Sequence, residues 1–224
     1  MVSGLVNTAL AIEPAELDKR IQTLTDKFEV FQHRPEGGIP PETLRAAQGV
    51  ILLETVKGGL VVGYQGGDGV ALVKNAALKT WSPAAFVKAN EASLGLQIGG
   101  EQNFYVILLM TTNSTWRLID PKIMFGAGAG GTANTTTGGV GVKTPAEQEV
   151  LIYKDRVGLY GGAIVKGGGI SPDAEANRVY YSQDLSMRDI LFDQKVQPSP
   201  IVSHLAGKLD LYSRSADDSK SAKN

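Results

Sequence analysis

Phe104-Tyr105-Val106-Ile107-Leu108-Leu109-Met110 is the longest unbroken apolar run in the chain. Successive side chains of an extended strand point to opposite sides of a sheet, so a run that is apolar at every position is covered on both faces. The stretch predicts a central strand in a sheet flanked by other layers. It is far too short to cross a bilayer as a helix, which takes about 20 apolar residues.

On either side of this run, strand-like segments come in quick succession. They are Val50–Val56, Leu60–Tyr64, Val70–Lys74, Ala84–Ala89, Gly95–Met110, Ile123–Val142, Glu149–Tyr153 and Leu159–Lys166, the two longest broken by turns. Residues 57–169 also hold 22 of the 27 glycines. Strand glycines weaken propensity but permit sharp coiling and close approach of backbones. Glycines at such intervals point to a strongly curved antiparallel sheet or a small barrel. No repeat of fixed period emerges, which argues against a solenoid.

Helices bracket this zone. Glu13-Pro14 supplies an acidic residue and a first-turn proline, both suited to a helix start. Leu17, Ile21, Leu24, Phe28 and Phe31 then fall on one stripe, with Asp18, Lys19, Asp26 and Lys27 elsewhere on the cylinder. The helix must end before Arg34-Pro35. A shorter helix is expected over Pro41–Gln48, stopped by Gly49, and two more over Pro172–Tyr181 and Ser186–Phe192. The fold class expected is therefore α+β, a glycine-rich sheet flanked by an N-terminal amphipathic helix and short C-terminal helices. Residues 1–39 form the N-terminal helical segment packing on the core, 40–200 the body, and 201–224 a polar tail, partly disordered.

Composition narrows the function. The chain has 224 residues, 42% of them apolar, enough for one well-filled domain. With 22 basic against 23 acidic side chains, the net charge of −1 argues against a nucleic-acid partner. Each Lys or Arg near an anionic bilayer contributes about 1 kcal/mol, so only a local cluster could act there. There is no cysteine, which excludes disulfides, thiolate metal sites and a cysteine nucleophile. Met1–Ala11 lacks a basic leader region, although Ala9-Leu10-Ala11 has the small-x-small look of a cleavage site; it reads as ordinary N-terminal chain.

Chemical motifs are sparse. Gly126-Ala127-Gly128-Ala129-Gly130-Gly131 satisfies the spacing of a dinucleotide-binding turn, but that mechanism needs a helix N-terminus aimed at the pyrophosphate. Thr132-Ala133-Asn134-Thr135-Thr136-Thr137-Gly138-Gly139 is a poor helix former, so these glycines read as structural and no cofactor is expected. His33 and His204 lie at a helix end and in the tail, unsuited to a triad or a metal centre. The carboxylates Glu54, Glu101, Asp120 and Asp155 are scattered; only spatial convergence could make a glycosidase-like pair of them. The apolar stripe of the first helix has two uses. Docked on the sheet, each side chain contributes roughly 1.5–3 kcal/mol; laid on a membrane, it needs a basic polar face, whereas Glu16, Asp18, Asp26 and Glu29 outnumber Lys19, Arg20 and Lys27.

In order along the chain, Val56-Lys57-Gly58-Gly59, Gly67-Asp68-Gly69-Val70, Trp81-Ser82-Pro83 and Gly95-Leu96-Gln97-Ile98-Gly99-Gly100-Glu101 lead into the Phe104–Leu109 strand. Tyr160-Gly161-Gly162, Asn177-Arg178-Val179-Tyr180-Tyr181 and Arg188-Asp189-Ile190-Leu191 follow. Together, over roughly residues 40 to 195, they resemble the SYLF domain family. The resemblance implies a non-catalytic lipid-binding module, phosphoinositide-binding and actin-binding in some members, and it brings no catalytic residues. Two departures stand out: the aromatic segment of the family usually ends in glycine where this chain has Ser182, and the first helix is basic there but acid-leaning here. The single-domain layout resembles bacterial members, which implies a periplasmic or exported setting; otherwise the expectation is cytoplasmic and membrane-peripheral.

Three functions remain open at this point. The first is lipid or membrane association, for which the expected contacts are Lys19, Arg20, Lys27 and Phe28 on the first helix, Lys57 before a glycine turn, and Lys154, Arg156 and Lys166 on a candidate hairpin. The second is an envelope scaffold or protein-interaction domain with no lipid ligand of its own. The third is a hydrolase using clustered carboxylates.

Overall fold

The computed structural model describes residues 12–35, 38–58, 64–75, 78–90, 102–120, 148–155, 158–159 and 170–214. Phe104–Leu109 lies in a strand over Gln102–Leu109, buried from Asn103 onward on both faces. In chain order the elements are α1 (Pro14–Gln32), α2 (Pro41–Ala46), β1 (Gly49–Gly58), β2 (Tyr64–Asn75), β3 (Thr80–Trp81), β4 (Ala85–Asn90) and β5 (Gln102–Leu109). They continue with α3 (Thr112–Trp116), a 3-10 turn (Arg117–Ile119), β6 (Val150–Lys154), β7 (Gly158–Leu159), β8 (Ile170–Pro172), α4 (Ala174–Tyr181), α5 (Met187–Leu191) and α6 (Pro200–Tyr212).

The strands form one antiparallel sheet in the order β7-β6-β5-β1-β2-β4-β8, with β3 paired to the end of β2. Among the described residues the outer strands β7 and β8 do not meet, so the sheet is open, and of the two expected forms the barrel is not the one seen. In the middle, β1 pairs with β2 from Gly49↔Val73 to Gly58↔Tyr64 and with β5 from Gly49↔Leu109 to Val56↔Gln102. The spacing predicts a break between Tyr64 and Val70, but β2 runs through it. A Cβ on Gly67 would come within 2.8 Å of Thr55 Cγ2, and one on Gly69 would run into the Leu52 carbonyl. These two glycines let β1 and β2 close upon each other instead of turning the chain. Residues 60–63, 95–101, 123–142 and 160–166 of the other expected strands lie outside the described residues.

Alternation along the strands sorts the core into two layers. Val50, Leu52, Val70, Leu72, Phe86, Phe104, Val106, Leu108, Leu151 and Tyr153 share one face with α1, α2 and α6. Ile51, Leu53, Ala71, Val73, Val87, Tyr105, Ile107 and Leu109 face the other way, onto Leu118, Met187, Ile190 and Leu191. The five stripe residues of α1 are all buried in the layer that the helix shares with the sheet. Among the described residues no helix is long and apolar enough to cross a membrane.

Residues 201–212, expected as the start of a polar tail, instead form most of α6. Ser199 caps it by accepting from Val202 N–H at 3.4 Å, Pro200 fills its first turn, and Val202, Leu205 and Leu209 are fully buried. It lies beside α1 and runs in the same direction: Tyr180 Oη joins Asp18 and Ser199 near the two starts, while Lys208 meets Glu29 and Tyr212 meets His33 toward the ends. The helix α3 has no counterpart among the elements that the spacing predicts; Thr111 and Ser114 cap it reciprocally.

α4 ends at Ser182, whose backbone is left-handed with φ 52°. That is the position where the resembled family usually carries glycine, and the reason is steric: a Cβ there costs about 1–2 kcal/mol. Glycine loses more chain entropy on folding, which returns part of that gain. Ser182→Gly is expected to stabilise the protein by about 0.5–1 kcal/mol, read as a raised midpoint of thermal or urea unfolding. An unchanged or lowered midpoint would rule out strain at this cap.

Candidate interaction site

β1 and β2 turn polar toward the end of the α1-facing layer. Leu52 and Val70 pair in one row; Glu54 and Asp68 pair in the next, with Phe104 beyond Glu54 and Lys88 beyond Asp68. The first half of α1 crosses this polar end and leaves a cleft of about 290 Å³, lined by Glu16, Lys19, Arg20, Thr23, Glu54 and Asp68 among others.

Charge pairing organises the floor of the cleft. Lys27 Nζ donates to Glu54 Oε1 at 2.7 Å, with the carboxylate side chain only 17% exposed. Arg20 Nη1 lies 3.5 Å from both Asp68 Oδ1 and Asp173 Oδ2, and its guanidinium sits 5.8 Å from the centre of the Phe86 ring. Two cations of α1 are thereby tied to acids of three other segments, which fixes the helix across the sheet. Lys19 is exposed at the cleft and has no partner among the described residues. The lining alternates in sign, so it offers no net cationic field.

The expected lipid contacts are thus dispersed. Lys19 and Arg20 meet at the cleft, and Lys27 adjoins it through Glu54. Phe28 is fully buried, edge-to-face with Tyr212 at 5.7 Å, so it supports the core and presents nothing outward. Lys57 lies in β1 opposite Gln65. Lys154 is in β6, its Nζ 5.9 Å from the centre of the Tyr105 ring. Arg156 and Lys166 lie outside the described residues, as do Glu101 and Gly126–Gly131. Of the remaining carboxylates, Asp120 is exposed, and the Asp155 main-chain oxygen accepts from Arg34 Nη1. Among the described residues no group of three His, Asp or Glu side chains could hold a metal ion.

Sequence reasoning missed the acidic partners Asp68 and Asp173 and the hydroxyl of Thr23. A signal for the first was present: Asp68 stands alone among glycines and apolar residues, on the strand face that elsewhere is core.

A second polar cluster joins the far ends of α1 and α6. Lys208 Nζ donates to Glu29 Oε1 at 2.5 Å, Tyr212 Oη to the same oxygen at 3.4 Å, and His33 Nδ1 lies 2.8 Å from the Glu29 carbonyl. The hydrogen bond from Lys208 holds the Glu29 carboxyl below its ordinary 4.5. A carboxylate with a depressed pKa contributes stability that is fully present above its unfolded value and is lost as pH falls through the folded one. Acidification below 4.5 is therefore expected to loosen the α1–α6 seam, and Glu29→Gln to flatten that part of the stability curve. Identical acid limbs for the variant and the parent in urea titrations would refute it. Both side chains are over a quarter exposed, so the effect is modest.

Three sets of similarities bear on this arrangement. Residues 90–212 match the model of a family described as Ysc84, Las17-binding protein actin regulator. The chain is 28% identical over 178 residues to LAS seventeen-binding protein 3 of Saccharomyces cerevisiae, covering 75% of this chain and 37% of that protein. It is 28% identical over 171 residues to SH3 domain-containing YSC84-like protein 1 of Xenopus laevis (74% and 50% covered) and 26% identical over 192 residues to the Homo sapiens protein of that name (83% and 55% covered). The chain thus spans between about a third and just over half the length of these relatives.

Proposed function

The chain belongs to the Ysc84 family, and from that premise we propose that it is a non-catalytic binding module that docks on a protein of the actin-regulating machinery. The observation that carries this reading is the state of α1. Its apolar stripe is wholly buried, and Arg20 and Lys27 are paired with acids of the body. At the described part of α1 and its cleft, an anionic bilayer would find neither the apolar stripe to take up nor a cationic field, whereas a cleft of alternating charge suits a polar protein surface. The family description and the name of the yeast relative, which is LAS seventeen-binding, support the same class of partner. Among the described residues, the cleft carboxylates Glu54 and Asp68 are charge-paired with Lys27 and Arg20, which favours binding over acid–base chemistry.

A second reading, peripheral lipid contact, is favoured by Lys19, which is exposed and has no partner among the described residues. Lys19, Arg20 and Lys27, with Lys57, Lys154, Arg156 and Lys166, would then meet headgroups, and the fully buried Phe28 would not. The relatives named above come from yeast and vertebrates, which lends no support to the expected periplasmic setting.

Co-sedimentation separates the two readings. The protein is mixed in parallel with filamentous actin, with a purified Las17-type protein, and with phosphatidylserine vesicles. Binding to either protein, weakened about fivefold by Lys19→Glu (a loss of about 1 kcal/mol), is expected. Binding to vesicles alone would transfer the function to the second reading, and no binding in any arm would overturn both.

A further inference from the structure

We draw no further inference here: the strongest candidate, the surface patch where Trp116 stacks on Phe192 at 4.1 Å beside the half-exposed Ile119 and Arg188, carries nothing because nothing in the structure shows what covers it.

Discussion

Asn177→Ala is expected to cost about 3 kcal/mol of folding stability, with an unchanged dependence on denaturant. The side-chain amide of Asn177 is 2% exposed and takes both backbone groups of one residue: Phe86 N–H donates to its Oδ1 at 2.8 Å, and its Nδ2 donates to Phe86 C=O at 3.1 Å. Phe86 sits on β4 just before the stretch where β8 takes over the pairing at Val87. The amide therefore stands in for a strand at the Phe86 N–H, while Asp173 N–H also donates to the Phe86 C=O at 3.0 Å, and Tyr181 Oη extends the edge by donating to Ala84 C=O at 2.6 Å. Burial pushes the Tyr181 phenol well above its ordinary value, which keeps that proton in place. Removing the Asn177 amide loses both bonds to Phe86 and leaves its buried N–H unpaired, each such orphan costing about 1–3 kcal/mol. Asn177→Asp should be equally damaging despite its near-identical shape, because it surrenders the donor and aims a charge at a carbonyl. A urea midpoint within error of the parent for Asn177→Ala would show that these bonds are replaceable by water.

Phe28→Ala is expected to cost about 3–5 kcal/mol, the range for truncating a fully buried aromatic. The ring is sealed between α1 and α6 against Tyr212, and its removal leaves a void that the sheet below cannot collapse to fill. Val30, two residues further along the same helix, is 70% exposed. Val30→Ala should stay within about 0.5 kcal/mol of the parent. The contrast separates two uses of the helix: a membrane-facing stripe would make Phe28 cheap to remove in the absence of lipid. Equal urea midpoints for the two variants would mean that α1 leaves the core in solution.

Regular periodicity was what made parts of the fold legible. The five-residue stripe of α1 and the doubly apolar run of β5 each repeat one burial pattern several times over, and both fall where the spacing puts them. α6 was hidden by its surroundings. Val202, Leu205 and Leu209 have helical spacing behind a Ser-Pro start, but the Ser-, Asp- and Lys-rich end of the chain lent its polar character to the whole stretch. α3 spans Thr112–Trp116, too short for a period to develop and built from weak helix formers. The cleft was half legible: Lys19 and Arg20 were candidates, whereas Asp68 and Asp173 reach Arg20 only through the folding of distant segments. Asn177 was recognised as part of a family motif, yet its service to Phe86 depends on where β8 begins, which no local pattern encodes.

The position of the β1–β2 hairpin has a consequence for how the chain reaches this state. β4 and β5 are consecutive in sequence but lie on opposite flanks of that hairpin, and β6 and β8 extend the two flanks outward. The sheet can thus grow like a crystal from its earliest-made strands, each later one finding a finished edge, and no strand has to be threaded between two already joined. A shortened chain that starts at residue 90, where the family match begins, would carry β5, β6 and β8 without the hairpin that seeds them and without β4, the edge on which β8 pairs.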